Sequence, residues 1–202
     1  MFKGLYDSVV RLSRHRRAPT YLAIVSFAES SFFPIPADPL LIALILGLRK
    51  RAFYYAFICT AGSVFGGIFG YFVGSFLWWT ETMEFSSIAT FFFTYVPGFT
   101  EQLFYNIQAQ YESYNFVVIF TAAFTPIPYK VFSISAGAFD INFLTFVVAS
   151  ILGRGLRFYG ITVVLWYFGR PVKKIIDKYF DLLAILLLLI SIISYIIIVY
   201  IF

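Results

Sequence analysis

Two apolar stretches of this chain break in the same way. Residues 32–40 read FFPIPADPL and residues 124–132 read FTPIPYKVF. Proline fixes its own φ, has no N–H to donate and pushes the residue before it out of the α region. Neither stretch can therefore continue as one helix across Pro34-Ile35-Pro36 or Pro126-Ile127-Pro128. Each is expected to form a helix, an extended tip and a second helix. An ionisable residue follows two positions after each tip, Asp38 in the first and Lys130 in the second. Asp38-Pro39 also reads as an N-cap with proline at the first helical position.

The tips lie in a chain of 202 residues that is 61% hydrophobic and 12% charged, more apolar surface than a soluble domain of this length can hide. The expectation is an integral membrane protein. One Cys and one His exclude a disulfide framework and a Cys₂His₂ zinc site. Cys59, in an apolar run, reads as a packing residue, and His15, within RLSRHRRAP, as a solvated member of a basic arm. No metal or cofactor is expected. The long basic arm, with no small-residue cleavage site after a short apolar core, does not read as a cleavable signal peptide.

Charge then sets the topology. Lys3, Arg11, Arg14, Arg16 and Arg17 precede the first apolar segment; Arg49, Lys50 and Arg51 form a second cluster; Arg170, Lys173, Lys174 and Lys178 form a third. No Lys or Arg occurs from 52 to 129, where Glu81, Glu84, Glu101 and Glu112 fall. If each apolar segment crossed once, the first two basic clusters would lie on opposite sides, against the positive-inside tendency. If 20–48 enters and returns at its proline tip, they share a side. The expected order is a basic amphipathic arm (1–18), re-entrant hairpin 1 (20–48), a transmembrane helix (52–77), an external interfacial segment (78–113), re-entrant hairpin 2 (114–139), a transmembrane helix (141–168) and a terminal transmembrane helix (182–202). Hairpin arms of about 12–14 residues reach roughly 18–21 Å, a little past the middle of a core about 30 Å thick. The fold class is an all-α polytopic membrane protein in which hairpin plus transmembrane helix occurs twice with inverted topology. That arrangement is a transporter signature, with the site between the tips.

Five ionisable residues fall at similar depth: Glu29, Asp38, Lys130, Arg154 and Arg157. Charges in the hydrocarbon are costly, so these should face one another or water. Structural roles are open to each: Asp38 as a cap, Glu29 as a counter-ion, the arginines as partners of the carboxylates, Lys130 as a snorkelling side chain. The functional reading is a polar cavity with a net positive charge suited to phosphate. Lys130, Arg154 and Arg157 would bind the head group, and Glu29 with Asp38 would carry protons. Gly62, Gly66, Gly70 and Gly74 form a ridge of small residues for close helix packing. Leu103, Phe104, Ile107, Tyr111 and Tyr114 share one face if 101–114 is helical, as in an interfacial amphipathic helix.

FAESSFFPIPADPLLIALILG, with FTPIPYKVFSISAGAFDINFLTFVVASILGRGLRF, resembles the DedA superfamily of membrane proteins (the VTT or SNARE-associated group), in particular its YqaA-like branch. The likeness covers about residues 18–172. It implies opposed re-entrant hairpins and lipid transport, in bacteria the return of undecaprenyl phosphate or phospholipid from the outer leaflet with dependence on the membrane potential or a proton gradient. Glu29 and Asp38 match the family's acidic residues before and after the first tip. At the second tip, where better-studied members carry arginines, this chain has Ala123 and Tyr129-Lys130.

The leading expectation is a flippase or scramblase for a phosphate-bearing lipid in a bacterial cytoplasmic membrane, with a cytoplasmic N-terminus; its partners are membrane lipids and protons, not nucleic acid. The alternative is an ion- or proton-coupled transporter of a small solute. An enzyme is not expected: the sole His is in the arm, and neither H-E-x-x-H nor G-x-S-x-G occurs.

Overall fold

The computed structural model describes residues 17–31, 36–82, 84–95, 100–125 and 128–169. Residues 1–16 of the basic arm, Pro34, Pro126, the third basic cluster and the terminal segment 182–202 lie outside the described residues. Among the described residues the chain is all-helical, without strands. In chain order the helices are α1 (Ala18–Ser31), α2 (Asp38–Gly47), α3 (Ala52–Trp78), α4 (Ser87–Tyr95), α5 (Glu101–Phe124), α6 (Tyr129–Ala138) and α7 (Phe143–Gly169). A 3₁₀ turn at Arg49–Arg51 joins α2 to α3. Among the described residues, two helices are long and apolar enough to cross a membrane: Phe143–Gly169, and α3 together with its 3₁₀ turn.

The helix pairs fall where the prolines put them. Residues 20–48 split into α1 and α2, and 114–139 into the second half of α5 and α6. Thr125 and Pro128 are extended, with ψ of 165° and 92°. The cap of α2 differs from expectation. Ala37 takes the N-cap position and Asp38 opens the helix without capping it, because its carboxylate is drawn to an arginine on α7. The boundary expected at 113/114 lies inside one long helix, α5, which kinks at Tyr114 (φ −128°, ψ 26°). Asn115 Oδ1 accepts the Phe116 N–H at 2.6 Å, so a side chain competes with the helical ladder at the bend. Before the kink, Phe104 and Tyr111 are buried, with ring centroids 4.8 and 5.3 Å from Phe139; Tyr114, at the bend, is exposed.

The glycine ridge of α3 seats two helices in succession. A Cβ at Gly62 or Gly66 would press into the Ala23 or Phe27 backbone of α1; at Gly70 and Gly74 it would meet Ser133 and the Ile134 carbonyl of α6. The fit with α6 is reciprocal, since a Cβ at Gly137 would overlap the Tyr71 carbonyl. Backbones this close leave no room for a methyl group. Gly74→Ala and Gly137→Ala are therefore expected to destabilise by about 1–3 kcal/mol each, the usual range for overpacking. Gly160→Ala, where no atom of the described residues lies within 4 Å, should be neutral or stabilise by up to about 1 kcal/mol through helix propensity. Thermal melts of the three purified variants in detergent check this, and equal melting of all three would contradict the packing.

Helices α3 and α7 run antiparallel. Tyr71, towards the end of α3, donates to the Ile141 carbonyl at 2.6 Å just before α7 begins. At the other end Arg49 lies over the Trp166 ring at 5.5 Å and donates to the Tyr167 carbonyl at 3.4 Å. The carbonyls around the end of α6 are claimed by side chains. Trp79 Nε1 donates to Ala138 O at 2.7 Å, and Gln108 Nε2 to Phe139 O at 3.2 Å, meeting the acceptors a helix C-terminus leaves open. Asp140, with φ of 52°, takes the left-handed position that stops the helix.

A candidate site of paired charges at the helix breaks

Serines spaced four apart on α1 face α3. Ser26 Oγ lies 3.1 Å from Cys59 Sγ, and Ser30 Oγ lies 2.6 Å from Ser63 Oγ, all four residues buried. Cys59 is thus a packing residue with a weak polar contact, as its apolar run suggests. Glu29, next to Ser30, is turned towards the first break. Its Oε2 accepts the Ala37 N–H at 3.3 Å, and its Oε1 lies 3.8 Å from Arg154 Nη1.

Arg154 is the most enclosed charge of the group, its side chain 2% exposed. Nη2 donates to Ser30 Oγ at 3.5 Å. Its guanidinium carbon lies 4.3 Å from the Tyr129 ring centre and 5.7 Å from that of Phe158, so two aromatic faces share the cation. Tyr129 is itself anchored, its hydroxyl donating to Ser150 Oγ, which donates to the Phe146 carbonyl at 2.6 Å. The ring fits because residue 67 has no side chain: a Cβ at Gly67 would stand 2.7 Å from it.

Arg157, one helical turn along α7, joins the two breaks. Nη2 engages Asp38 Oδ2 at the start of α2, and Nη1 donates to the Thr125 carbonyl at the end of α5. One guanidinium thereby holds a residue two positions after the first tip and the residue just before the second. Asp38 Oδ1 and the Nε atoms of Arg154 and Arg157 are buried and have no hydrogen-bond partner among the described residues.

Of the five ionisable residues singled out from sequence, four meet here in two pairs, Glu29–Arg154 and Asp38–Arg157. The cluster is neutral rather than net positive. Lys130 is half-buried and makes no ion pair among the described residues; its backbone carbonyl accepts from Ser133 Oγ at 3.0 Å. Its neighbour Tyr129 is the residue facing Arg154. Pro36 is exposed beside Ala37, and Pro128 caps α6. Tyr129, Ser30, Thr125 and Gly67 were not singled out from sequence. For Ser30 a signal existed in the four-residue spacing of Ser26 and Ser30. Tyr129 was noted only beside Lys130, where the resembled family carries an arginine, and an aromatic residue after proline is otherwise unremarkable in a chain with 27 Phe and 15 Tyr.

Among the described residues, the fold and cluster are all-helical, with two helices long and apolar enough to cross a membrane and two partly buried ion pairs at the helix breaks. An uncharacterised protein of Haemophilus influenzae is 30% identical over 196 residues, an alignment covering 96% of both chains. Another uncharacterised protein, from Histophilus somni, is 29% identical over 202 residues, covering 98% of both. The chain belongs to the family of the Haemophilus influenzae protein. No family model and no solved structure matches it.

Proposed function

We propose that the chain is a polytopic inner-membrane protein of the DedA type, with a cytoplasmic N-terminus, and that it moves a phosphate-bearing lipid such as a phospholipid or undecaprenyl phosphate across the bilayer. Several features support the inverted repeat. The tips stand 92 residues apart. At that offset α2 falls on 130–139, against α6 at Tyr129–Ala138, and α7 falls on 51–77, against α3 at Ala52–Trp78. Each long helix touches both units. The α3 ridge seats α1 and α6, while α7 sets Gly153 against Ala123 and Phe120 of α5 and Gly169 beside Leu46 of α2. The outer faces are apolar, with Phe76 76% and Leu144 71% exposed, as suits contact with lipid tails.

The observation that carries the functional reading is the double ion pair at the breaks. A lipid phosphate offers a guanidinium the same pair of anionic oxygens as a carboxylate does. Phosphate and carboxylate therefore compete for Arg154 and Arg157. A proton on Glu29 or Asp38 removes the carboxylate's charge and frees its arginine for the phosphate. Loss of the proton restores the ion pair and ejects the head group. Lys130, outside the pairs, is the third cation available to the phosphate. Exchange of this kind ties lipid movement to protons without a separate coupling element.

The test is translocation of fluorescent phospholipid and polyprenyl phosphate by the purified protein in vesicles, over a range of pH. The wild type should translocate, with a clear pH dependence. Glu29→Gln, nearly isosteric but unable to titrate, should insert and fold while its transport falls on the order of tenfold and loses that dependence. A Glu29→Gln protein that transports normally at every pH would remove the proton-carrier role.

A further inference from the structure

We propose that a cavity at the common starting end of α1 and α3, apart from the ion-pair cluster, binds the head-group phosphate of an anionic lipid in the adjoining leaflet. The proposal rests on the membrane reading above but not on transport. The cavity measures about 810 Å³ and is lined by Arg17, Pro19, Thr20, Arg51 and Tyr54. This is within the range of small-molecule sites, roughly 300–1,000 Å³. Its polar lining is donor-rich: two guanidinium groups, a hydroxyl and a phenol, with no carboxylate among the described lining residues. Arg17 and Arg51 are far apart in sequence and meet only because α1 and α2 bring the chain back to the end it left. Helices α1 and α3 both begin beside the cavity, so their positive dipole ends add to the charge of the arginines.

The neighbouring surface favours a lipid over free phosphate. Phe57, one turn along α3 from Tyr54, is 58% exposed, and Phe53 is 45% exposed. Apolar surface therefore begins directly beyond the basic lining, on the side where acyl chains would lie. Arg49 over Trp166, with Tyr167 71% exposed, sets an aromatic and basic fringe at the same end, the composition of a membrane–water interface.

Retention of phosphatidylglycerol and phosphatidylcholine by the full chain, read by native mass spectrometry in detergent, tests the assignment. Phosphatidylglycerol should be held preferentially. Arg17→Gln and Arg51→Gln should each lower its retention by about tenfold, the scale of one charge-assisted phosphate contact. Lys50→Gln removes the same charge from an exposed neighbour outside the lining and should have little effect. Melting of each variant is recorded beside retention, so that a loss of lipid is read only from folded protein. Equal losses in Lys50→Gln and Arg51→Gln, or no preference for phosphatidylglycerol, would overturn the site. Displacement of the lipid by millimolar inorganic phosphate would reassign the cavity to free phosphate and overturn the lipid assignment. Phosphatidylglycerol held at the ion-pair cluster would instead be lost in Arg154→Lys and kept in both Arg17→Gln and Arg51→Gln, and that pattern would overturn the proposal.

Discussion

Arg154→Ala is expected to destabilise the protein by about 3–5 kcal/mol, the usual consequence of removing one member of a buried ion pair. The side chain is 2% exposed, so nothing replaces its charge. Glu29 would keep the Ala37 N–H but lose its cation, Ser30 would lose a donor, and the faces of Tyr129 and Phe158 would border a void. Adding Glu29→Gln to the same chain should recover part of the loss, because the stranded charge is then gone. Unfolding of the two single variants and the double variant in detergent forms a double-mutant cycle that isolates the pair. An Arg154→Ala protein that melts with the wild type would mean that the pair contributes nothing to the fold.

Arg157→Lys has a larger expected effect on transport than on folding. Arg157 uses its two terminal nitrogens on different partners, Asp38 on α2 and the Thr125 carbonyl on α5. Lysine offers one compact charge where a planar fork spans both. It should keep the Asp38 pair and release Thr125, at about 1 kcal/mol, the typical net contribution of one hydrogen bond. If the fork also takes the lipid phosphate, translocation should fall on the order of tenfold or more, equivalent to about 1.4 kcal/mol at the binding step. Translocation and melting are measured side by side in the same preparation. Unchanged translocation would leave Arg157 as a strut between the helix breaks, and the phosphate exchange would lose its support.

Much of the architecture was legible in the chain because its causes are local. A proline pair stops a helix wherever it stands, so the split of 20–48 and of 114–139 follows from Pro34, Pro36, Pro126 and Pro128 alone. The glycine ridge was equally readable, since a four-residue spacing lies along one helix face in any context. The kink was legible only as a change in composition: the amphipathic run ends at Tyr114, where the helix bends but does not stop.

The pairing of charges lay beyond the sequence. Glu29 and Arg154 are 125 positions apart, and Asp38 and Arg157 are 119; which carboxylate meets which arginine depends on how α7 settles against both helix breaks. That Tyr129 rather than Lys130 faces Arg154 has the same origin. Successive residues on a helix point about 100° apart, as 3.6 residues per turn requires, so a motif can place the turn without fixing which of two neighbouring side chains meets the arginine. Gly67 shows this from the other side. It lies off the ridge of Gly62, Gly66, Gly70 and Gly74, and its want of a side chain matters only because the Tyr129 ring arrives there from another helix. Proline, glycine and apolar patterning determined where the helices begin, end and touch; the tertiary structure decided which buried charges neutralise one another, because that depends on distances between segments that no local rule contains.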